Sequence, residues 1–555
     1  MTTNRPLDDQ DATRSFKQVA ADYISVSTLH LHNVPSRSDA GTLAAEVERL
    51  NNAVRASAGE GMSPYTQPAD YQAVQLALAD ASNAMAAPAE VGAASASSGQ
   101  GLTLAEAARK LASGETTSEE LTRQALERAE TAQPDTNAFL EIWRDRALAQ
   151  ARALDEERAR GVSRGPLHGI PLAHKDCFQI TGHSATIGSK ARQPVPATSD
   201  ANLIHRLNEA GAVTIGTLNL NEMVAGPTGQ NPSFGDCCNA LDPSRISGGS
   251  SSGSGAAVAS GAVFGSLGSD TGGSIRLPAS VHGLFGLKPT YGRLSRSGCF
   301  PRAFTLDCAG PLTRTAEDCA ILLKAVAGHD ASDPSTLNAP VPDYPALLQT
   351  AAEGSRVAVI QLQGEDACEP GIAEVFAAFV ARVEKAFGAA PEVSFPQLSS
   401  CYAMGDIISK VEAAALHGQW MRSNGEAYSQ AVYSRTEPGL HVPAVRYLEA
   451  LMERARILQE FIAGPMGDAD ILICPTIPIP VPLRSEADME KPGSVFKVVG
   501  PITRLTRPFS YLGVPVLSMP IGKDANGMPV GAQLIGRPLA EARLLSFAHR
   551  MSALA

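Results

Sequence analysis

Three stretches of this chain carry residues whose types and spacing suit proton transfer and attack by a serine. The first is Gly169-Ile-Pro-Leu-Ala-His-Lys-Asp176, in which Lys175 closes an apolar run that predicts a buried strand. Burial disfavours the ammonium form of a lysine, and a lysine that is neutral near pH 7 can accept a proton. The plainer role for Lys175 is an ion pair with the adjacent Asp176. The second stretch is Ser247-Gly-Gly-Ser-Ser-Ser-Gly-Ser-Gly255. By composition it is a flexible linker. It nevertheless runs straight into the apolar Ala256–Phe264 and sits inside a domain, not between zones of different composition. The third stretch is Gly268-Ser-Asp-Thr-Gly-Gly-Ser-Ile-Arg276. There a Gly-Gly pair before Ser274 can aim consecutive N–H groups one way, as an oxyanion hole or as an anion-binding turn.

A serine needs a base to remove its proton. The usual base is histidine held by an acid, but none of His168, His174, His183, His205 or His282 has a distinctive setting. A lysine acting through a second serine needs no histidine, and Lys175, Ser250 and Ser274 supply those three groups. Two rival patterns are weaker. Gly249-Ser-Ser-Ser-Gly253 formally matches a nucleophile elbow, but no buried strand precedes it. Asp270-Thr-Gly272 matches an aspartic-protease tripeptide, but that chemistry needs a second carboxylate, and the chain has no second such tripeptide.

Taken together, the three stretches resemble the amidase signature family. Ser250 and Ser274 lie 24 positions apart, as the bridging serine and the nucleophile do in that family. The resemblance continues through Gly283-Leu-Phe-Gly-Leu-Lys-Pro-Thr-Tyr-Gly-Arg293, Gly310-Pro-Leu-Thr-Arg314, Pro515-Val-Leu-Ser-Met-Pro520 and Gly527-Met-Pro-Val-Gly531, and covers roughly residues 101–551. It implies an α/β fold with a mixed central sheet covered by helices, and hydrolysis of a carbon–nitrogen bond through an acyl-enzyme. Ser274 would be the nucleophile, Ser250 the bridging serine after a cis peptide bond, and Lys175 the general base. The backbone N–H groups of Thr271, Gly272, Gly273 and Ser274 would form the oxyanion hole. No cofactor or metal is implied. The serine block departs from the commoner G-G-S-S-G-G form at Ser252, a change expected to alter backbone freedom more than chemistry.

The substrate is less constrained, because the family spans aliphatic, aromatic, carbamate, peptide and tRNA-linked amides. Met223, Val224, Ala225 and Gly226, with Tyr402, Met404 and Trp420 from the region after 400, are the expected pocket residues. They predict a largely apolar pocket for an uncharged small-molecule amide, aryl amide or carbamate. The alternatives are the glutaminase subunit of a tRNA-dependent amidotransferase, and an inactive scaffold of the same fold. The presence of all three chemical groups argues against the scaffold.

These residues must be positioned by the elements around them. Short apolar runs (Ile170–Ala173, Val213–Ile215, Arg356–Ile360, Asp470–Cys474, Val514–Ile521, Val530–Ile535) alternate with helical patterns such as Leu203–Ala210, which predicts layered α/β structure. Leu104, Ala107, Ala108 and Leu111 mark a helix face that Gly114 can end. Thr117 and Glu120 fit a capping box, and Val375, Phe379, Val383 and Phe387 mark a later helix. Ahead of the catalytic region (101–555) come a polar tail (1–14), a helical region (15–85, with Leu43, Val47 and Leu50 on one face) and a linker (86–100) of small residues.

Composition agrees with this reading. Acidic residues outnumber basic ones, 57 to 46, so a nucleic-acid partner is not suggested. The opening residues lack an apolar core for a signal peptide, and no apolar run is long enough for a membrane span. The nine cysteines are odd in number and include no C-x-x-C, which argues against a disulfide framework or zinc ribbon and for a reducing, cytoplasmic setting. A homodimer is compatible with this reading.

Overall fold

The computed structural model describes residues 36–58, 70–79 and 101–554, with isolated positions at 21, 23, 24, 32 and 34. The expected tail and linker fall outside the described residues. Eleven strands are present among them. β1 (Phe139–Ile142), β2 (Pro171–Lys175) and β3 (Val213–Leu218) form a small sheet in the order β1-β3-β2. The large sheet has eight strands: β4 (Gly265–Asp270), β5 (Phe285–Lys288), β6 (Cys308–Thr313), β7 (Val357–Ile360), β8 (Glu392–Val393), β9 (Ile471–Pro475), β10 (Val516–Lys523) and β11 (Pro529–Gly536). Their order is β4-β6-β5-β10-β11-β9-β7-β8. Pairing is antiparallel from β4 to β9 and parallel from β9 through β7 to β8, so the sheet is mixed. Helices cover it, as the α/β reading expects.

β2, β3 and β4 are buried along their whole length. This explains their near-continuous apolar or small composition, which differs from the alternation of a half-exposed strand. Helix Ser252–Ala259 is also buried on every side and is built only of Ser, Gly, Ala and Val. Small residues let it nest between the two sheets, so the stretch that reads as a linker is a packed helix. Ser252 lies within that helix and adopts ordinary helical geometry, so the departure at this position imposes no unusual backbone.

The expected helices form, with one change in capping. Gly114 ends the helix Leu104–Ser113 in the left-handed conformation, at φ 77°. Thr117 accepts a hydrogen bond from the Glu120 N–H, but Glu120 turns its carboxylate to Arg123 and Gln124 and does not close the box. The complete reciprocal box lies one helix earlier, between Thr103 and Glu106.

The N-terminal helices pack on the catalytic region. Leu43, Val47 and Leu50 of helix Ala40–Ala58 are buried. Leu50, Val54 and Tyr71 join the same apolar cluster as Met404, Ile407 and Leu458. Tyr71 donates to the Leu512 carbonyl at 2.5 Å, and its ring lies 3.9 Å beneath the Arg454 guanidinium. Among the described residues, no helix is long and apolar enough to cross a membrane.

Candidate active site

Lys175 is the last residue of β2 and only 1% exposed. Its amine donates to the hydroxyls of Ser250, at 2.8 Å, and Ser269, at 2.9 Å. It does not pair with Asp176. That carboxylate turns away and binds His183 Nε2 (2.7 Å), the Thr186 N–H (2.8 Å) and the Thr186 hydroxyl (2.6 Å). Burial therefore acts on Lys175 with little compensation and holds its pKa below the ordinary lysine value. His174, one residue earlier, is no rival base. Burial drives its pKa down to about 3, and its Nδ1 accepts the Leu267 N–H.

Ser250 is fully buried at the entrance to helix Ser252–Ala259 and follows a cis Gly249–Ser250 peptide bond. Its carbonyl accepts the Asn221 N–H. Gly249 has no room for a side chain, since a Cβ there would lie 2.0 Å from Asn221 Oδ1 and 2.8 Å from the Gly226 carbonyl oxygen.

Ser274 sits in the turn between β4 and helix Arg276–His282. It is half-buried and opens onto a narrow cleft. Its carbonyl accepts the Ser251 N–H at 3.2 Å, which ties the nucleophile loop to the serine block. No hydrogen bond joins the Ser250 and Ser274 hydroxyls. Such bonds often tighten only when substrate is bound.

The turn is shaped by Asp270, which composition suggested only as part of a protease tripeptide. Its carboxylate accepts the N–H groups of Gly273 (2.7 Å) and Ile275 (3.2 Å) and forms a buried ion pair with Arg276 at 3.0 Å. Burial pushes the Asp270 pKa up, but Arg276 outweighs that and holds it at about 2. Arg276 is itself anchored by the Thr506 carbonyl, Gln533 and Ser510. This corrects the four-donor expectation. The Gly273 N–H is spent on Asp270, whereas the N–H groups of Thr271, Gly272 and Ser274 are not taken up in this way. Gly273 has a different constraint: its φ is +133°, and a Cβ would meet Thr506 Oγ1 at 2.5 Å. The Thr271 hydroxyl donates to Asp307, which also accepts the N–H groups of Arg302 and Ala303.

The cleft differs from the apolar one expected. Val224 and Gly226 line it, but Arg302, Arg435, Arg507, Ser409 and Thr503 do so as well. Met223 and Ala225 point into the core instead. Met404 is buried in another cluster, Tyr402 lies under Arg507 with its ring centre 4.8 Å from the guanidinium carbon, and Trp420 stacks on Phe300. Arg302 is 2% exposed, and its Nε has no partner among the described residues. Its Nη1 and Nη2 reach only Thr436 and the Arg435 carbonyl. Burial, with Arg435 and Arg507 nearby, lowers the Arg302 pKa to about 9. Burial and Arg507 lower that of Arg435 to about 10. Arg507 is the exception, because its ion pair with Asp406 outweighs burial and raises its pKa.

Sequence reasoning missed the three arginines and Ser269. Ser269 stood inside the third stretch and could have been singled out there. The arginines come from three separate segments and carry no local signature.

Proteins of similar sequence and structure are known. The family model described as Amidase matches residues 120–545. The glutamyl-tRNA(Gln) amidotransferase A subunit of Pseudomonas putida is 37% identical over 472 residues, covering 81% of this chain and 96% of the relative. Among solved structures, one reported as an unexpected vestigial protein complex that reveals the evolutionary origins of an s-triazine catabolic enzyme matches at TM-score 0.75 and 35% identity. It spans 81% of this chain and 98% of its own. Native peptide amidase from Stenotrophomonas maltophilia matches at TM-score 0.66 and 29% identity, covering 81% of this chain and 96% of its own. With the family model matching well over half of its length, the chain belongs to the amidase family, whose members act on carbon–nitrogen bonds of amides.

Proposed function

We propose that the chain hydrolyses the amide of a small substrate carrying a carboxylate, with Ser274 as nucleophile, Ser250 as relay and Lys175 as base. Ser274 Oγ attacks the carbonyl carbon while its proton passes to Ser250 and the Ser250 proton passes to neutral Lys175. The developing oxyanion meets the N–H groups of Thr271, Gly272 and Ser274 in a site already organised before reaction. The C–N bond breaks, Lys175 returns the proton through Ser250 to the leaving nitrogen, and ammonia or an amine departs. Water then cleaves the acyl ester by the same route.

The observation that carries this reading is a lysine held 2.8 Å from one serine, free of any carboxylate, beside a second serine that opens onto a cationic cleft. Two of the three arginines there lack an anionic partner among the described residues. A substrate carboxylate would supply one, with the bidentate geometry arginine favours. Comparing glutaramate with pentanamide, a chain of the same length without the charge, tests this. The expected result is kcat/KM for glutaramate at least tenfold higher. Equal values would contradict the carboxylate.

A second reading, the glutaminase subunit of a tRNA-dependent amidotransferase, is favoured by the 37% identical relatives named as glutamyl-tRNA(Gln) amidotransferase. Glutamine also carries a carboxylate, so the cleft suits both readings. Hydrolysis by the purified chain alone supports the first. Glutamine hydrolysis that appears only with added partner subunits and tRNA supports the second.

A further inference from the structure

The helix Ala40–Ala58 lies ahead of the region matched by the family model, yet its charged side chains reach a cleft residue through one carboxylate. Asp406, on helix Leu398–Asn424, has each oxygen committed. Oδ1 accepts from Arg507, and Oδ2 accepts from Arg49 at 2.7 Å and from Lys410 at 2.6 Å. Glu46 closes the group by binding Arg49 Nε and Nη2, both at 2.8 Å, and Lys410 Nζ. The side chains of Glu46, Asp406, Lys410 and Arg507 are nearly buried, while Arg49 is 45% exposed and forms the outer edge.

We propose that Glu46 and Arg49 are positioning residues for substrate recognition: they fix the plane of the Asp406 carboxylate and thereby the orientation of Arg507 in the cleft. A carboxylate held by one oxygen can pivot about its Cβ–Cγ bond. Two cations on Oδ2 stop that pivot and leave Oδ1 aimed at the Arg507 guanidinium. Glu46 keeps Lys410 and Arg49 apart and neutralised, so neither draws Asp406 away from Arg507. The Tyr402 ring also lies against Arg507, which leaves the other side of the guanidinium for substrate. Helix Ala40–Ala58 thus acts as a specificity element supplied by the same chain. The inference rests on the carboxylate reading above, and the experiment separates the two.

The test measures kcat and KM of the full-length chain on glutaramate and pentanamide for Glu46→Gln, Arg49→Ala, Arg49→Lys and Arg302→Ala, together with thermal unfolding and the rate of labelling by a fluorophosphonate serine probe. For Glu46→Gln and Arg49→Ala the expected result is a glutaramate KM raised about five- to twentyfold with kcat lowered less than twofold, and an unaltered probe-labelling rate. Arg49→Lys recovers most of the affinity, because the charge is kept. An unchanged KM in both variants overturns the positioning role. So does a fall in probe labelling, or a pentanamide kcat/KM reduced as much as that of glutaramate, since either marks general loss of structure. If Arg302→Ala changes neither substrate, the carboxylate reading fails by itself. If Arg302→Ala raises the glutaramate KM while the Glu46 and Arg49 variants do not, only the present inference fails.

Discussion

Two of the three lysines buried among the described residues face opposite surroundings. Lys175, at the end of β2, meets two serine hydroxyls and no carboxylate. Lys410, on helix Leu398–Asn424, is held between Glu46 and Asp406. Burial is nearly the same, 1% exposed against 6%, so burial does not separate their roles. The partners do. Hydroxyls can accept or pass a proton without stabilising the ammonium as a carboxylate does, so Lys175 is left with a lowered pKa and a path toward Ser274. Carboxylates make Lys410 a fixed tie, useful for holding Asp406 and Arg507 in place. At Lys175 the withheld counter-charge leaves the amine able to take a proton.

The contrast can be broken most sharply at the proton path. Ser274→Ala is expected to abolish acyl-enzyme formation, read as loss of the fluorophosphonate adduct by mass spectrometry. Lys175→Ala removes the base, and general-base catalysis is worth about 100- to 10,000-fold. Lys175→Arg should be as poor, because a guanidinium stays charged. By contrast, Lys410→Met leaves the proton path intact, so its effect should fall on KM and thermal stability.

The cleft arginines come next. Arg302→Ala removes a charged donor, a contribution of about 1.5–3 kcal/mol, and KM for a carboxylate substrate should rise roughly 10- to 150-fold with little change in kcat. Steady-state kinetics on glutaramate checks this. Breaking the Asp270–Arg276 pair should cost about 3–5 kcal/mol, because the surviving charge is left buried. Denaturant unfolding of Asp270→Asn measures it. With the Asp270 pKa held at about 2, below its ordinary 3.8, the stabilisation is fully present above about pH 4 and is lost as pH falls toward 2. The smallest effect is expected at Ser269→Ala, which leaves Lys175 one hydroxyl partner. A rate loss of about threefold to tenfold, together with a moved acid limb in the pH–rate profile, would fit the loss of one such hydrogen bond.

Much of this molecule was legible in its sequence. The strand runs ending at Lys175 and Cys474 could be read because apolar residues must be buried together, and the order of the three stretches carried the family resemblance. The site was harder. Lys175, Ser250 and Ser274 announced themselves by local pattern, whereas Arg302, Arg435 and Arg507 meet only after three segments fold together, and an isolated arginine reads as surface. The apolar pocket failed for the same reason: Met223 and Met404 are apolar because they fill the core. The donor count of the oxyanion turn failed because backbone geometry alone does not say that Asp270 will claim the Gly273 N–H. The docking of the N-terminal helix was visible as an apolar face at Leu43, Val47 and Leu50. Its reach to Arg507 through Asp406 depends on contacts more than 350 positions apart.

The role of Lys175 as the base for Ser274 is tested most directly by mapping the fluorophosphonate adduct and following its rate of formation against pH in wild type and Lys175→Ala. The expected result is an adduct on Ser274 whose formation rises with pH through a single ionisation below the ordinary lysine value, with both rate and limb lost in Lys175→Ala. An adduct on another serine, or equal labelling with the same limb in the variant, would contradict it.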